Sequence, residues 1–192
     1  MIEAQRHRGT DAQNARPAWR RALLVFAVPL CLCASVPRLW AQDVGLDVGS
    51  VPASATVQNM DGQDVDLATT YVGKKPVLFE FWATWCEICE ALLPKMQAAQ
   101  QRYGSQVEFV VVGVGVNQSR NTMRRHIERH PMPFTFYFDN AGAAVRSFQA
   151  PSTSFIAVLD ARGRVVYTGT GSDQNIDAAV ARALRPPETR SR

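Results

Sequence analysis

Two cysteines three positions apart, Cys86 and Cys89, stand in the stretch "FEFWATWCEICE" with tryptophan and glutamate around them. Such a spacing serves a disulfide staple, half of a metal site or a redox-active pair. A staple over so short a loop adds little, because the chain-entropy gain grows with loop length. A metal ion needs two further ligands. The histidines available beyond the N-terminal region are His126 and His130, which lie in an arginine-rich stretch that reads as solvated helix surface. A redox pair suits the surroundings better. On the first turn of a helix both sulfurs fall on one side, so they can bond with little backbone movement. The free N–H groups and partial positive charge of the helix start lower the Cys86 thiol below its ordinary value of about 8.5. Cys89, one turn further in, is placed to attack a mixed disulfide. Glu87 and Glu90 put negative charge beside the thiolate and favour a more reducing pair.

The elements that must hold this pair are legible on either side. Residues 76–83, "PVLFEFWA", form an almost continuous apolar run, which fits a strand buried on both faces. A helix is predicted over 86–103, with Ile88, Leu92, Leu93, Met96 and Tyr103 as its apolar face and Gly104 at its end. Residues 107–116 read as a second buried strand. The stretch 117–130 reads as a capped polar helix with Met123 and Ile127 on its inner side, and 134–138 as a short strand. Asp139-Asn140 is a turn and 142–149 a short helix. "SFIAVLD" and "RVVYTG" close as a hairpin, and a terminal helix runs from Asn175 to Leu184, entered through Ser172-Asp173. Before them all, residues 55–67 alternate around Asp61-Gly62 as a β-hairpin. This order of elements reads as α/β with a mainly parallel sheet. A right-handed crossover then puts Cys86 at the C-terminal edge of the sheet, where open α/β sheets carry their active sites.

The front of the chain has a different character. Arg6, Arg8, Arg16, Arg20 and Arg21 precede the apolar run at 22–36, the layout of a secretory signal peptide. The run is shorter than the roughly 20 residues of a membrane span. Residues 1–41 are therefore read as a signal peptide, with an N-terminal membrane anchor as the alternative, and 42–192 as the folded domain. The leader holds six of the 21 Lys and Arg and two of the 17 Asp and Glu, so fifteen of each remain and the net charge of +4 disappears with it. The basic balance therefore gives no argument for nucleic acid. Cys31 and Cys33 lie within the apolar run, which leaves Cys86 and Cys89 as the cysteines of the domain. The last eight residues, "RPPETRSR", read as a frayed tail.

The segment "PVLFEFWATWCEICEALLP" resembles the active-site region of thioredoxin-fold proteins: a buried strand, FWA, a tryptophan before the first cysteine, CxxC, and a proline five residues after the second. With the hairpin at 55–67 and the extra strand and helix between 131 and 150, the chain is similar to the exported TlpA/ResA-like branch over about residues 48–185. That branch comprises disulfide reductases that include cytochrome c maturation factors. The resemblance implies a thioredoxin-like α/β fold with a central mixed sheet flanked by helices, an N-terminal hairpin and an inserted strand and helix before the closing hairpin. It implies Cys86 as nucleophile and Cys89 as resolving cysteine of a redox-active disulfide. Glu80 takes the place of a buried carboxylate that relays a proton to Cys89, the residue-level alternative being a strand carboxylate paired with a lysine. Trp85, Glu87, Ile88, Thr153 and Ser154 line the substrate groove, and Pro94 kinks the active-site helix. Trp82 is read as core.

Two departures from the family pattern stand out. Ile88 occupies the position before the second cysteine where many relatives have proline. The proline expected opposite the cysteines is replaced by Ser154, preceded by Thr153, unless a longer loop brings Pro151 there. The function implied is a thiol:disulfide oxidoreductase of the cell envelope or periplasm, reducing protein disulfides as a monomer without metal or organic cofactor. Its partners would be client protein thiols or disulfides and a membrane electron-donor protein. A disulfide-forming oxidant, a peroxide-linked redoxin and a non-catalytic binding module are the alternatives.

Overall fold

A computed structural model describes residues 44–185. The expectations for the leader, and for the tail beyond Arg185, lie outside the described residues. The elements in chain order are β1 (Thr56–Asn59), β2 (Asp64–Asp66), α1 (Leu67–Tyr71), β3 (Val77–Trp82), α2 (Glu87–Tyr103), β4 (Glu108–Val114), α3 (Arg120–Arg129), β5 (Thr135–Asp139), α4 (Ala143–Ser147), β6 (Phe155–Leu159), β7 (Val165–Gly169) and α5 (Ile176–Ala183). Seven strands form one sheet in the order β2-β1-β5-β4-β3-β6-β7.

Local sequence accounts for most of the boundaries. All six residues of β3 are buried, as a strand covered on both faces requires. Gly62 supplies a left-handed turn residue (φ 91°) between β1 and β2, and the Asn59 side chain accepts from the backbone N–H of Asp61 and Gln63. Ser119 caps α3 by accepting from Thr122 N–H at 3.2 Å, and Asn175 caps α5 by accepting from Ala178 N–H at 2.9 Å. With Asn175 as its N-cap and Leu184 as its C-cap, the last helix agrees with the expected span from Asn175 to Leu184. The helix α1 has five residues, too few to carry a helical period, and goes unannounced in the sequence.

The sheet is mixed, as the family resemblance implies, and departs from the mainly parallel reading of element order. Only β3–β4 and β4–β5 are parallel pairings; β1–β2, β1–β5, β3–β6 and β6–β7 are antiparallel. The physical reason lies in the connections. Two full helices cross over between the three parallel strands, whereas both hairpins add to the edges in the opposite sense.

Because β3, β4 and β5 lie in succession and each crossover is right-handed, α2 and α3 fall on one face of the sheet. The helices α2 and α5 share that face's core, with Leu92, Met96, Ile176 and Val180 against Leu78, Ile156 and Val158. The opposite face holds an aromatic cluster: Phe148, at the end of α4, lies 5.0 Å from Phe79 and 5.5 Å from Phe81 between ring centroids. Tyr71 of α1 meets Phe79 edge-on at 5.4 Å. Side chains alternate along a strand, so Leu78, Glu80 and Trp82 face α2 and α3 while Phe79 and Phe81 face the aromatic cluster.

Among the described residues no helix is long and apolar enough to cross a membrane.

Candidate active site

The Ala83–Cys86 turn joins the C-terminal end of β3 to α2 and closes with Cys86 N–H donating to Ala83 C=O at 3.1 Å. Cys86 is the N-cap of α2, with extended backbone (φ −90°, ψ 94°), and its Sγ accepts from Cys89 N–H at 3.1 Å. A disulfide joins Cys86 and Cys89, whose Cα atoms are 5.3 Å apart. Cys89 is wholly buried and Cys86 nearly so. The N-cap position is the chemically useful one: a thiolate on Cys86 would inherit the Cys89 N–H and the positive end of a helix of 17 residues. Glu87 and Glu90 lie exposed in the first turn.

Around the disulfide the surface is apolar and open. Trp85 is 48% exposed, Ile88 52% and Val116 57%, beside a pair of buried sulfurs. Trp85 is held by its indole N–H, which donates to Val116 C=O at 2.9 Å. Ile88 was expected on the buried face of the helix as well as at the groove; it lies out in solvent. Cys89, Leu92, Met96 and Ala99 form the buried stripe instead, because the helix begins at Glu87 and the stripe continues inward from Cys89. Pro94 lies inside α2, where its missing N–H removes one helical hydrogen bond.

Glu80 is 2% exposed, and its Oε1 has no hydrogen-bond partner. Burial alone pushes its carboxyl up to about 8 from an ordinary 4.5. Among the described residues no lysine or arginine forms an ion pair with it; Lys75 pairs with Glu108 at 2.8 Å. The lysine-paired alternative is therefore excluded. The alternation of β3 aims Glu80 at the face that α2 covers, beneath the helix whose first turn carries Cys89.

Ser154 precedes β6 and takes a left-handed backbone conformation (φ 62°). Its N–H donates to Phe81 C=O at 2.8 Å, which extends the β3–β6 ladder one step beyond Phe81–Phe155 toward the cysteine turn. Its hydroxyl accepts from Gly171 N–H at 3.1 Å, and its carbonyl accepts from the Gln174 amide at 3.0 Å. Thr153 is half-buried beside it, while Pro151 is exposed. No cis peptide bond occurs among the described residues.

Several participants escaped the sequence reading. Gln174, 7% exposed, anchors Ser154 from across the sheet end. Gln118 bonds to the C-terminal ends of β3 and β4 beside the cysteines, with Thr84 N–H donating to its Oε1 at 3.0 Å. His126 is not plain solvated surface: its ring meets Trp82 at 5.2 Å and His130 at 4.8 Å. Burial holds its imidazole below the usual value, and the neighbouring His130 adds to that effect. Trp82, 5% exposed, is core as expected, yet it also lines a cleft of about 120 Å³ with Glu90, Leu93, His126, His130 and Met132. Among the described residues no group of three or more His, Cys, Asp or Glu side chains is arranged to hold a metal ion. Glutamine carries no pattern of its own in a sequence, so only the two loop positions next to predicted strand ends could have drawn attention.

Comparison with known proteins agrees with this geometry. Residues 47–184 match the Redoxin family model. The chain is 26% identical to the thiol-disulfide oxidoreductase ResA of Geobacillus thermodenitrificans, over 85% of this chain and 94% of that protein. It is 31% identical to a thiol:disulfide interchange protein TxlA homolog of Synechocystis, over 42% of this chain and 44% of that one. Among solved structures, the thioredoxin domain of a thiol-disulfide oxidoreductase from Bacteroides vulgatus superposes with a TM-score of 0.62 at 19% identity. That match covers 73% of this chain and 99% of the other. StoA of Bacillus subtilis gives 0.55 at 20% identity, covering 68% and 96%.

Proposed function

The chain belongs to the Redoxin family and is a thiol:disulfide oxidoreductase, and from that premise we propose that it reduces protein disulfides in the cell envelope. The observation that carries this reading is the Cys86–Cys89 disulfide at the start of α2, with Cys89 N–H on the Cys86 sulfur and an unpaired buried carboxyl beneath. In the reduced protein the Cys86 thiolate attacks a client disulfide. A Cys86–client S–S bond forms, the client S–S bond breaks, and one client sulfur leaves and takes a proton. Ionised Glu80 then takes the proton of Cys89, whose sulfur attacks Cys86 Sγ; the second client sulfur leaves and takes a proton from solvent, and the Cys86–Cys89 disulfide remains above a protonated Glu80. Two electrons pass to the client. A dithiol donor in the membrane restores the pair by the reverse exchange, in which Glu80 returns the proton to the departing Cys89 sulfur.

Charge beside the pair favours electron flow toward the client. A strong oxidant is one whose reduced form is stabilised, and here Glu87 and Glu90 disfavour the Cys86 thiolate. The pair equilibrated against glutathione buffers and read by mass spectrometry is expected near or below about −270 mV; a value near −120 mV would make the protein a disulfide-forming oxidant instead. Export is supported by the basic stretch and short apolar run at the front of the chain. The likeness to TlpA/ResA-like proteins favours clients in cytochrome c maturation.

Glu80 supplies a pH signature. A carboxyl whose pKa rises on folding stabilises the folded chain fully below its unfolded value, and loses that contribution as pH climbs through the folded one. The window runs from 4.5 to about 8. Chemical denaturation should therefore show the parent losing stability across that range relative to Glu80→Gln, whose amide does not titrate. The same variant should slow resolution of mixed disulfides, since Cys89 has lost its proton acceptor. Parallel stability curves for the two proteins would contradict a buried protonated Glu80.

A further inference from the structure

The loop between β4 and α3 reaches across to the turn that carries Cys86, and one side chain makes most of that bridge. The Gln118 amide uses both its ends. Its Oε1 accepts from Thr84 N–H at 3.0 Å, and its Nε2 donates to Val114 C=O at 2.7 Å and to Trp82 C=O at 3.4 Å. The parallel ladder of β3 and β4 stops at the pair Trp82–Gly113. Beyond it the Gln118 amide stands where the next peptide group of a ladder would stand, between the ends of both strands. A second tie runs alongside, from the Trp85 indole N–H to Val116 C=O at 2.9 Å. Between the two ties Asn117 takes a left-handed conformation (φ 52°), which asparagine tolerates.

We propose that Gln118 is a positioning residue for disulfide exchange: its amide fixes the Trp82–Thr84 backbone and, through it, the presentation of Cys86 and Trp85 to a client. The reason is the short range of what activates Cys86. The Cys89 N–H reaches the Cys86 sulfur at 3.1 Å, and such bonds weaken steeply with angle and distance. Cys86 is two residues from Thr84, whose N–H finds its acceptor in a side chain and not in a strand. Without Gln118 that N–H and two strand-end carbonyls lose their common partner, and the turn is free to shift relative to the helix amides. Thiolate stabilisation and the line of attack on a client disulfide then deteriorate together.

Gln118→Met keeps the length of the side chain and removes both hydrogen-bonding ends; Gln118→Ala removes the side chain as well. Both are made in the full chain and compared with the parent by thermal melting. The reduced proteins are then alkylated with iodoacetamide across pH, with the product on Cys86 read by peptide mass spectrometry. Turnover of a peptide disulfide is measured with kcat and KM separated. The expected result is folded variants with the Cys86 alkylation midpoint moved to higher pH. The kcat should be lower by between about tenfold and a hundredfold, and Gln118→Asn, too short to span the same bonds, should not restore it. A purely structural role would lower the melting temperature and leave the alkylation midpoint where it was. Folded variants with unchanged midpoint and kcat would overturn the proposal, and so would loss of folding in both Gln118→Met and Gln118→Ala.

Discussion

Cys86→Ser is expected to reduce turnover of protein disulfides to the uncatalysed rate while leaving the chain folded. A serine hydroxyl stays protonated at neutral pH, so no nucleophile remains at the N-cap of α2. The fold survives because the disulfide it removes closes a very short loop, worth about 2 kcal/mol on the chain-entropy estimate, compared with nearly 5 for a loop of 100 residues. Cys89→Ser should behave differently. The Cys86 thiolate still attacks, but nothing resolves the product, so client proteins accumulate as mixed disulfides that run as reducible adducts on non-reducing gels. Residual turnover in Cys86→Ser would point to Cys89 as an alternative nucleophile, which its complete burial argues against. Retained client binding with no change in disulfide content would support a binding module.

Placing a proline at Ser154 is expected to cost about 3 kcal/mol or more. Proline is the residue that the resemblance to thioredoxin-fold proteins leads one to expect here, and the substitution looks benign in sequence. The geometry says otherwise. Ser154 has φ 62°, whereas proline fixes φ near −65°. Its N–H donates to Phe81 C=O at 2.8 Å, and proline has no N–H to give. Its hydroxyl also accepts from Gly171 N–H, a bond the proline ring cannot make. A melting temperature roughly 10 °C lower follows for a domain of this size. Ser154→Gly is the control: glycine accepts a positive φ without strain and keeps the N–H, so it should lose only the hydroxyl contact, about 1 kcal/mol. Ser154→Pro melting with the parent would mean that residues 153 and 154 can rearrange to the proline-bearing form without loss.

The contrast between these two cases marks the boundary of what was legible in the chain itself. CxxC, the Trp85 before it and the buried run of β3 lie within a few residues of one another, so local spacing and burial periodicity were enough to identify the redox pair and the edge of the sheet where it sits. The hairpin around Asp61-Gly62 and the closing hairpin were readable for the same reason. Ser154 could be assigned by counting back from the closing hairpin, but its positive φ and its anchorage by Gln174 could not, since those depend on a residue 20 positions away.

What the sequence determined by itself was the chemistry: two thiols at a helix start and an acid on a buried strand. The tertiary structure decided the rest. It showed that Glu80 is unpaired, that Ile88 faces solvent, that His126 rests on Trp82, and that Gln118 closes the gap between β3 and β4. It also gave the sheet the mixed pairing that the family resemblance implies and the order of elements alone does not. Each of these outcomes depends on which elements the sheet order brings side by side, with partners 34 residues apart for Thr84 and Gln118. Local propensity acts over a helical turn or a strand and carries no information about such pairs, so they are settled only when the strands find their neighbours.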